Sequence, residues 1–252
     1  MIQLKDFSIG YGDNSLLSAV NTIFNDSSLT ALIGRNGAGK STLLKAICGL
    51  SSLYTGRIQI DNKGLRHLTT MELAKSISFV NTQRPRITNL TCFEVVSLGR
   101  SPYTDWIGRI SSRDKAIIEG AIKKVGMEEY HDRKITSLSD GEAQRIMIAR
   151  AIAQDTPVII LDEPTSFLDM PNRYEIVSLL KDLAHKGGKT IIFSTHELDI
   201  AVEKSDYIAI IEEKNLYNLK VEEMIESGHI QRLFSTPDNF VDRLLQMILT
   251  NR

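Results

Sequence analysis

The chain has 252 residues, 42% of them hydrophobic and 24% charged, with a formal net charge of −1. That is enough for one large α/β domain, and the balanced charge excludes a global attraction to nucleic acid or to an anionic membrane surface. Two cysteines, Cys48 and Cys92, exclude a disulfide framework and a metal knuckle and read as buried thiols in a reducing compartment.

In chain order, Ile2, Leu4, Phe7 and Ile9 stand between polar residues, which predicts a strand with one buried face. Residues 29–33 are an apolar run ending at Gly34, and a helix is expected from Lys40 to a stop at Gly49. Residues 56–60 and 76–80 read as further strands. From about 84 to 137 the periodicity is helical, and Ser111 with Asp114 forms a capping-box pattern opening a helix through Lys124. A helix at about 140–154, a strand at 158–161, a helix at about 172–186 and a strand at 190–194 follow. A short helix, a strand at 207–211 and an amphipathic C-terminal helix bearing Phe240, Leu244, Leu245 and Ile248 complete the series.

Strands alternating with helices predict an α/β fold with a mostly parallel sheet covered on both faces. The N-terminal strands suggest an antiparallel portion, and the helical stretch suggests an inserted subdomain. The apolar runs are only a few residues long, such as 158–161, whereas a membrane-spanning helix needs roughly 20. The first residues lack a signal-peptide pattern. The expectation is a cytosolic chain that reaches a membrane only through a partner.

The segment G-R-N-G-A-G-K-S at 34–41, followed by Thr42, fits the P-loop pattern in full and lies between a predicted strand and a predicted helix. Its glycines (Gly34, Gly37, Gly39) and neighbours Asn36 and Ala38 allow backbone N–H groups to turn toward phosphates at a helix N-terminus. Lys40 supplies a point charge, and the Ser41 hydroxyl suits Mg²⁺, which prefers oxygen ligands. A glycine turn that merely joins strand to helix would not need Lys-Ser in register.

The strand at 158–161 runs into Asp162 and Glu163. Neighbouring side chains on a strand point to opposite faces, so Asp162 could hold the metal shell while Glu163 orients and deprotonates a water. The competing reading is a surface acidic pair. His196, after the strand at 190–194, reads either as a strand-end polar residue or as a γ-phosphate sensor. Gln83 could touch metal and attacking water but is uninformative alone. Tyr11, between Gly10 and Gly12, is either a turn tyrosine or an adenine platform.

L-S-D-G-E-A-Q-R at 138–145 resembles the signature motif of the ABC ATPase superfamily, normally L-S-G-G-[EQ]-x-Q-[RK]. The P-loop, Gln83, Asp162 and Glu163, the S-F-L-D segment ending at Asp169, and His196 then stand in that superfamily's order. Only Asp140 departs, replacing the usual glycine. The resemblance covers about residues 1–235, implying an ATPase domain with a helical subdomain at about 84–153 and a helical tail at 236–252. It also implies ATP and Mg²⁺ as ligands, with Ser41, Gln83 and Asp162 around the metal and Glu163 as base. Ser139 and Gly141 would cap the γ-phosphate held by a second copy packed head to tail, with Asp169 near the seam.

A single cassette with no heptad arm and no basic tail favours a transporter ATPase over tandem translation factors or coiled-coil chromosome ATPases. The segment L-G-R-S-P-Y at 98–103 and the stretch 222–234 resemble the ATPases of iron–siderophore, haem and cobalamin uptake. That resemblance implies polytopic permease subunits docking on the helical insertion, an extracytoplasmic binding protein, no nucleic-acid partner, and residence at the cytoplasmic face of the membrane. An ABC ATPase for another cargo, or for export, is the runner-up.

Overall fold

The alternation noted at the N-terminus is real but interrupted. In a computed structural model that describes residues 1–12, 14–81, 89–234, 245 and 247, β1 (Ile2–Tyr11) buries Ile2, Leu4, Phe7 and Ile9. The three-residue step from Leu4 to Phe7 is absorbed by a bulge at Asp6, φ +48°, which keeps all four side chains on one face. β2 (Asn14–Phe24) pairs antiparallel with β1 and was not anticipated. Its buried residues Leu17, Val20 and Phe24 are spaced like a helix because Ala19, at φ +50°, bulges the strand.

β3 (Leu29–Gly34) is buried throughout and feeds α1 (Lys40–Ile47). β4 (Tyr54–Ile60) and the short β5 (Lys63–Gly64) complete an antiparallel sheet in the order β2-β1-β4-β5. α2 (Thr70–Ser76), which sequence periodicity did not reveal, is held by a capping box between Thr69 and Glu72 and leads into β6 (Ile77–Val80).

The described part of the helical stretch holds α3 (Cys92–Ser97), a 3-10 segment at Leu98–Tyr103, α4 (Ser112–Lys124) and α5 (Asp140–Ala153). The Ser111–Asp114 capping box opens α4 as expected, with Ser111 Oγ accepting from Asp114 N–H at 3.1 Å. β7 (Val158–Leu161), α6 (Met170–His185), β8 (Thr190–Ser194), α7 (Leu198–Lys204) and β9 (Tyr207–Glu212) follow. The C-terminal portion adds β10 (Asn215–Lys220), α8 (Val221–Glu226) and α9 (His229–Leu233), none of them anticipated. Of the expected C-terminal helix, Leu245 is helical and buried, while Phe240, Leu244 and Ile248 lie outside the described residues.

The second sheet runs β10-β9-β3-β8-β7-β6, parallel except for the β10 edge. Strands buried on both faces read as continuous apolar runs, which explains 29–33 and 158–161. Alternation along β7 sends Ile159 and Leu161 to a core shared with α3 to α6, and Val158 and Ile160 to one shared with α1 and the antiparallel sheet. The ends of β3, β7 and β8 emerge together, and the chemistry-bearing residues follow each of them.

Candidate functional site

The loop after β3 is shaped by two glycines in left-handed conformations, Gly37 at φ +79° and Gly39 at φ +101°. A Cβ on Gly39 would also lie 3.2 Å from Leu16 Cβ, so β2 presses the loop from behind. Lys40 begins α1 almost buried, and its ammonium donates to Gly34 O at 2.8 Å. Burial holds its pKa below the ordinary lysine value, opposed by the carboxylates of Glu163 and Asp162. Tyr11, Asn36, Gly37, Gly39, Lys40, Ser41, Thr42 and Glu163 line one cleft. Tyr11, 55% exposed, brings its hydroxyl to 3.4 Å from Thr42 Oγ1, so the first strand and the P-loop helix share one wall.

The two acids are separated differently from the expectation. β7 ends at Leu161, so strand alternation does not divide Asp162 from Glu163. Asp162 is buried, with its N–H bound to Val80 O at 2.8 Å, whereas Glu163 turns the chain at φ +49° and lines the cleft. The clamp on this turn is Ser194, fully buried at the end of β8. Its hydroxyl donates to Asp162 Oδ1 at 2.7 Å and accepts from Glu163 N–H at 2.8 Å. Sequence reasoning missed Ser194; a hydroxyl closing the apolar run 191–193 was the available sign. Ser166 Oγ holds Glu163 from the other side, at 2.9 Å from its carbonyl and 3.2 Å from Oε2.

His196 stands exposed just beyond β8. The adjacent Glu197 is nearly buried, 2.8 Å from Thr165 Oγ1 and 2.6 Å from Arg173 Nη1, and Arg173 Nε donates to Leu168 O at 2.7 Å. This chain of contacts joins the His196 loop to residues 166–169 and was also not foreseen.

Ser139 and Gly141 are at the start of α5, and neither lines the cleft. Ser139 is the N-cap: its Oγ donates to Glu142 Oε2 at 2.8 Å and accepts from Glu142 N–H at 3.3 Å. The Ser139 backbone N–H in turn holds Glu142 below the ordinary carboxylate range. A Cβ on Gly141 would approach Leu168 Cδ2 to 3.1 Å and Phe167 O to 3.2 Å, so glycine lets α5 pack on the loop before Asp169. Asp169 caps α6, accepting from Asn172 N–H at 3.1 Å. Asp140 is exposed in the first turn of α5, where a carboxylate complements the helix dipole. Gln83 lies outside the described residues. Cys48 and Cys92 are free and buried, and burial pushes both thiols up, as befits inert thiols.

The oxygen donors at the cleft, the Ser41 hydroxyl and the Asp162 carboxylate beneath it, suit a hard divalent cation. Among the described residues no three His, Cys, Asp or Glu side chains form a metal cage. A nest of N–H groups, one buried ammonium and a clamped carboxylate turn are the parts a phosphoryl-transfer site requires.

Comparison with known proteins agrees with this geometry. Residues 17–166 match the family model described as ABC transporter. The iron(3+)-hydroxamate import ATP-binding protein of Bacillus subtilis is 36% identical over 207 residues, covering 82% of this chain and 77% of that protein. A chain from a metal-chelate type ABC transporter in an inward-facing conformation superposes with TM-score 0.82 at 29% identity, covering 94% of this chain and 89% of the other. A dimeric ATP-binding cassette in a post-hydrolysis state with ADP and Pi gives TM-score 0.78 at 29% identity, covering 88% and 99%.

Proposed function

Because this chain belongs to the ABC transporter family as an ATP-hydrolysing, ATP-binding subunit, we propose that it works as a head-to-tail pair driving uptake of an iron chelate, haem or cobalamin through a separate permease. One observation carries the paired reading: Ser139 and Gly141 do not line the cleft formed by Lys40, Ser41, Thr42 and Glu163. The N-terminus of α5, with its backbone donors and positive dipole, would receive a phosphate held elsewhere. A second copy packed head to tail supplies it, and the dimeric cassette that this chain resembles supports that arrangement.

Within each shared site the residues divide the work. The N–H groups of 34–41 cradle the phosphates, and Lys40 neutralises charge on the outer two. Ser41, Asp162 and Gln83 would hold Mg²⁺, which supplies further charge neutralisation across the same phosphates. Glu163 orients and deprotonates the attacking water, His196 donates to the γ-phosphate, and Tyr11 stacks on adenine. Ser139 and Gly141 of the partner copy close the site, and Asp169 of each chain lies by the seam. Residues 1–235 would form the ATPase domain around a helical insertion at 84–153, with 236–252 as a tail.

No helix among the described residues is long and apolar enough to cross a membrane; the proposed pore is a separate polytopic permease that docks on the helical insertion. In this reading the chain works at the cytoplasmic face, and an extracytoplasmic binding protein delivers the cargo. The cargo class is supported by the hydroxamate-import relative and the metal-chelate transporter neighbour. Co-expression with a candidate polytopic permease tests the reading. Co-purification and ATP-dependent uptake of a ferric siderophore into proteoliposomes are expected, whereas a purely soluble set of partners would overturn it.

A further inference from the structure

Residues 104–111 leave the helical layer and return to it as a loop with fixed feet. Arg100 and Asp114, both buried, pair at 2.8 Å, and Arg100 Nη1 donates to Ala153 O at 2.8 Å. The tip is preformed as well. Asp105 Oδ1 accepts from the N–H groups of Ile107 and Arg109, both at 3.0 Å, and Gly108 at φ +78° completes the turn. At its apex Trp106 is 94% exposed, with Ile107 and Ile110 at 54% and 40%.

The exposed charge around this tip is mainly positive, with Asp105 the one exposed acid within it. Arg109 and Arg113 are exposed, and Lys75 reaches the tip's base over the Tyr103 ring, 5.4 Å from its centroid. Asp105 is exposed but accepts the N–H groups of its own turn, and Asp114 is buried and taken by Arg100 and by Ser111 Oγ at 2.6 Å. Size narrows the occupant. A tryptophan offers at most roughly 250 Å², and two partly exposed isoleucines add less than that. These side chains alone therefore fall short of the ~800 Å² that each partner contributes to a stable protein interface. A convex Trp–Ile apex with arginines at its base has instead the composition of an interfacial anchor, indole at headgroup depth and cations among lipid phosphates.

We propose that the 105–110 tip docks on the anionic lipid headgroups of the membrane, giving the ATPase a bilayer contact of its own beside the permease. This rests on the transporter reading, because only a chain held at a membrane meets lipid continuously.

Trp106 is the chain's single tryptophan, so intrinsic fluorescence reports on this tip alone. The full chain, without permease, is titrated with phosphatidylcholine vesicles with or without phosphatidylglycerol. The anionic vesicles should shift emission to the blue, and the shift should weaken as salt screens the arginines. A double variant, Arg109→Ser with Arg113→Ser, should require at least three-fold more lipid for the same shift. An emission spectrum unmoved by anionic vesicles overturns the proposal, as does a shift produced only by detergent-solubilised permease, which would assign the tip to protein. Trp106→Ala should leave ATP affinity and basal hydrolysis unchanged. A chain that still co-purifies with a permease while Trp106 ignores lipid sinks the tip proposal and spares the transporter reading.

Discussion

Ser194 and Asp162, 32 residues apart, share a buried hydrogen bond of 2.7 Å, and the same Ser194 hydroxyl accepts the N–H of Glu163 at 2.8 Å. One side chain on β8 thus sets both acids after β7, the buried Asp162 carboxylate and the left-handed turn of Glu163. Ser194→Ala should lower kcat roughly ten-fold, equivalent to about 1.4 kcal/mol, while ATP affinity stays within two-fold. Steady-state hydrolysis beside a nucleotide titration checks this. A parallel loss of affinity would point to general misfolding instead.

Mutation can separate the cap that Ser139 makes from the phosphate contact proposed for it. Its hydroxyl caps α5, and any substitution lacking an acceptor costs about 1 kcal/mol of stability. Ser139→Arg should bind ATP as a monomer yet fail to dimerise, because its side chain would occupy the partner's phosphate position. Ser139→Ala suffers the same cap loss without the bulk and should still dimerise at raised ATP. Light scattering distinguishes the two, and equal failure of both variants would assign the defect to helix fraying.

Asp140 sits in the first turn of α5, where its charge favours the helix but opposes an incoming phosphate. Asp140→Gly should therefore tighten ATP-driven dimerisation several-fold, by about 1 kcal/mol for a screened charge pair at such separations. The ATP concentration at half-maximal dimer formation measures the effect. A variant that dimerises less readily would mean that the carboxylate faces away from the partner's nucleotide.

The Arg100–Asp114 pair makes a pH-dependent contribution. The Ser111 hydroxyl, together with the Arg100 guanidinium, holds the Asp114 carboxyl below the usual range against the opposing effect of burial. A depressed folded value means that the stabilisation is present above the unfolded value, about 3.9, and is lost as pH falls through the folded one. Asp114→Asn leaves a buried guanidinium without its anion and should cost about 3 kcal/mol at pH 7. Thermal melts should show that gap narrowing below about pH 4; a gap independent of pH would mean that packing rather than charge is lost.

What the sequence made legible follows from which features are local. The P-loop, α4 and α5 carry their own caps and glycines, and β3, β7 and β8 are continuous apolar runs. β2 was hidden because the bulge at Ala19 gives its buried residues a helical spacing, and β10 because only Leu216 in it is buried. Ser194 and Glu197 were invisible as site residues because their roles depend on the β7–β8 adjacency, which no local pattern encodes. The L-G-R-S-P-Y segment, which suggested the cargo, is architectural. Gly99 admits Arg150 O, 2.4 Å from where a Cβ would stand, and Arg100 staples α4 to α5.

The central claim, that catalysis needs two copies sharing each ATP, is tested most directly by the scattering mass of Glu163→Gln. This variant keeps Lys40, Ser41 and the Ser139 cap while removing the base. Addition of ATP should double its mass and hold it there, with turnover nearly abolished, whereas the parent should dimerise only transiently. A Glu163→Gln chain that binds ATP yet remains a monomer, or hydrolyses it at the parent rate, would contradict the account.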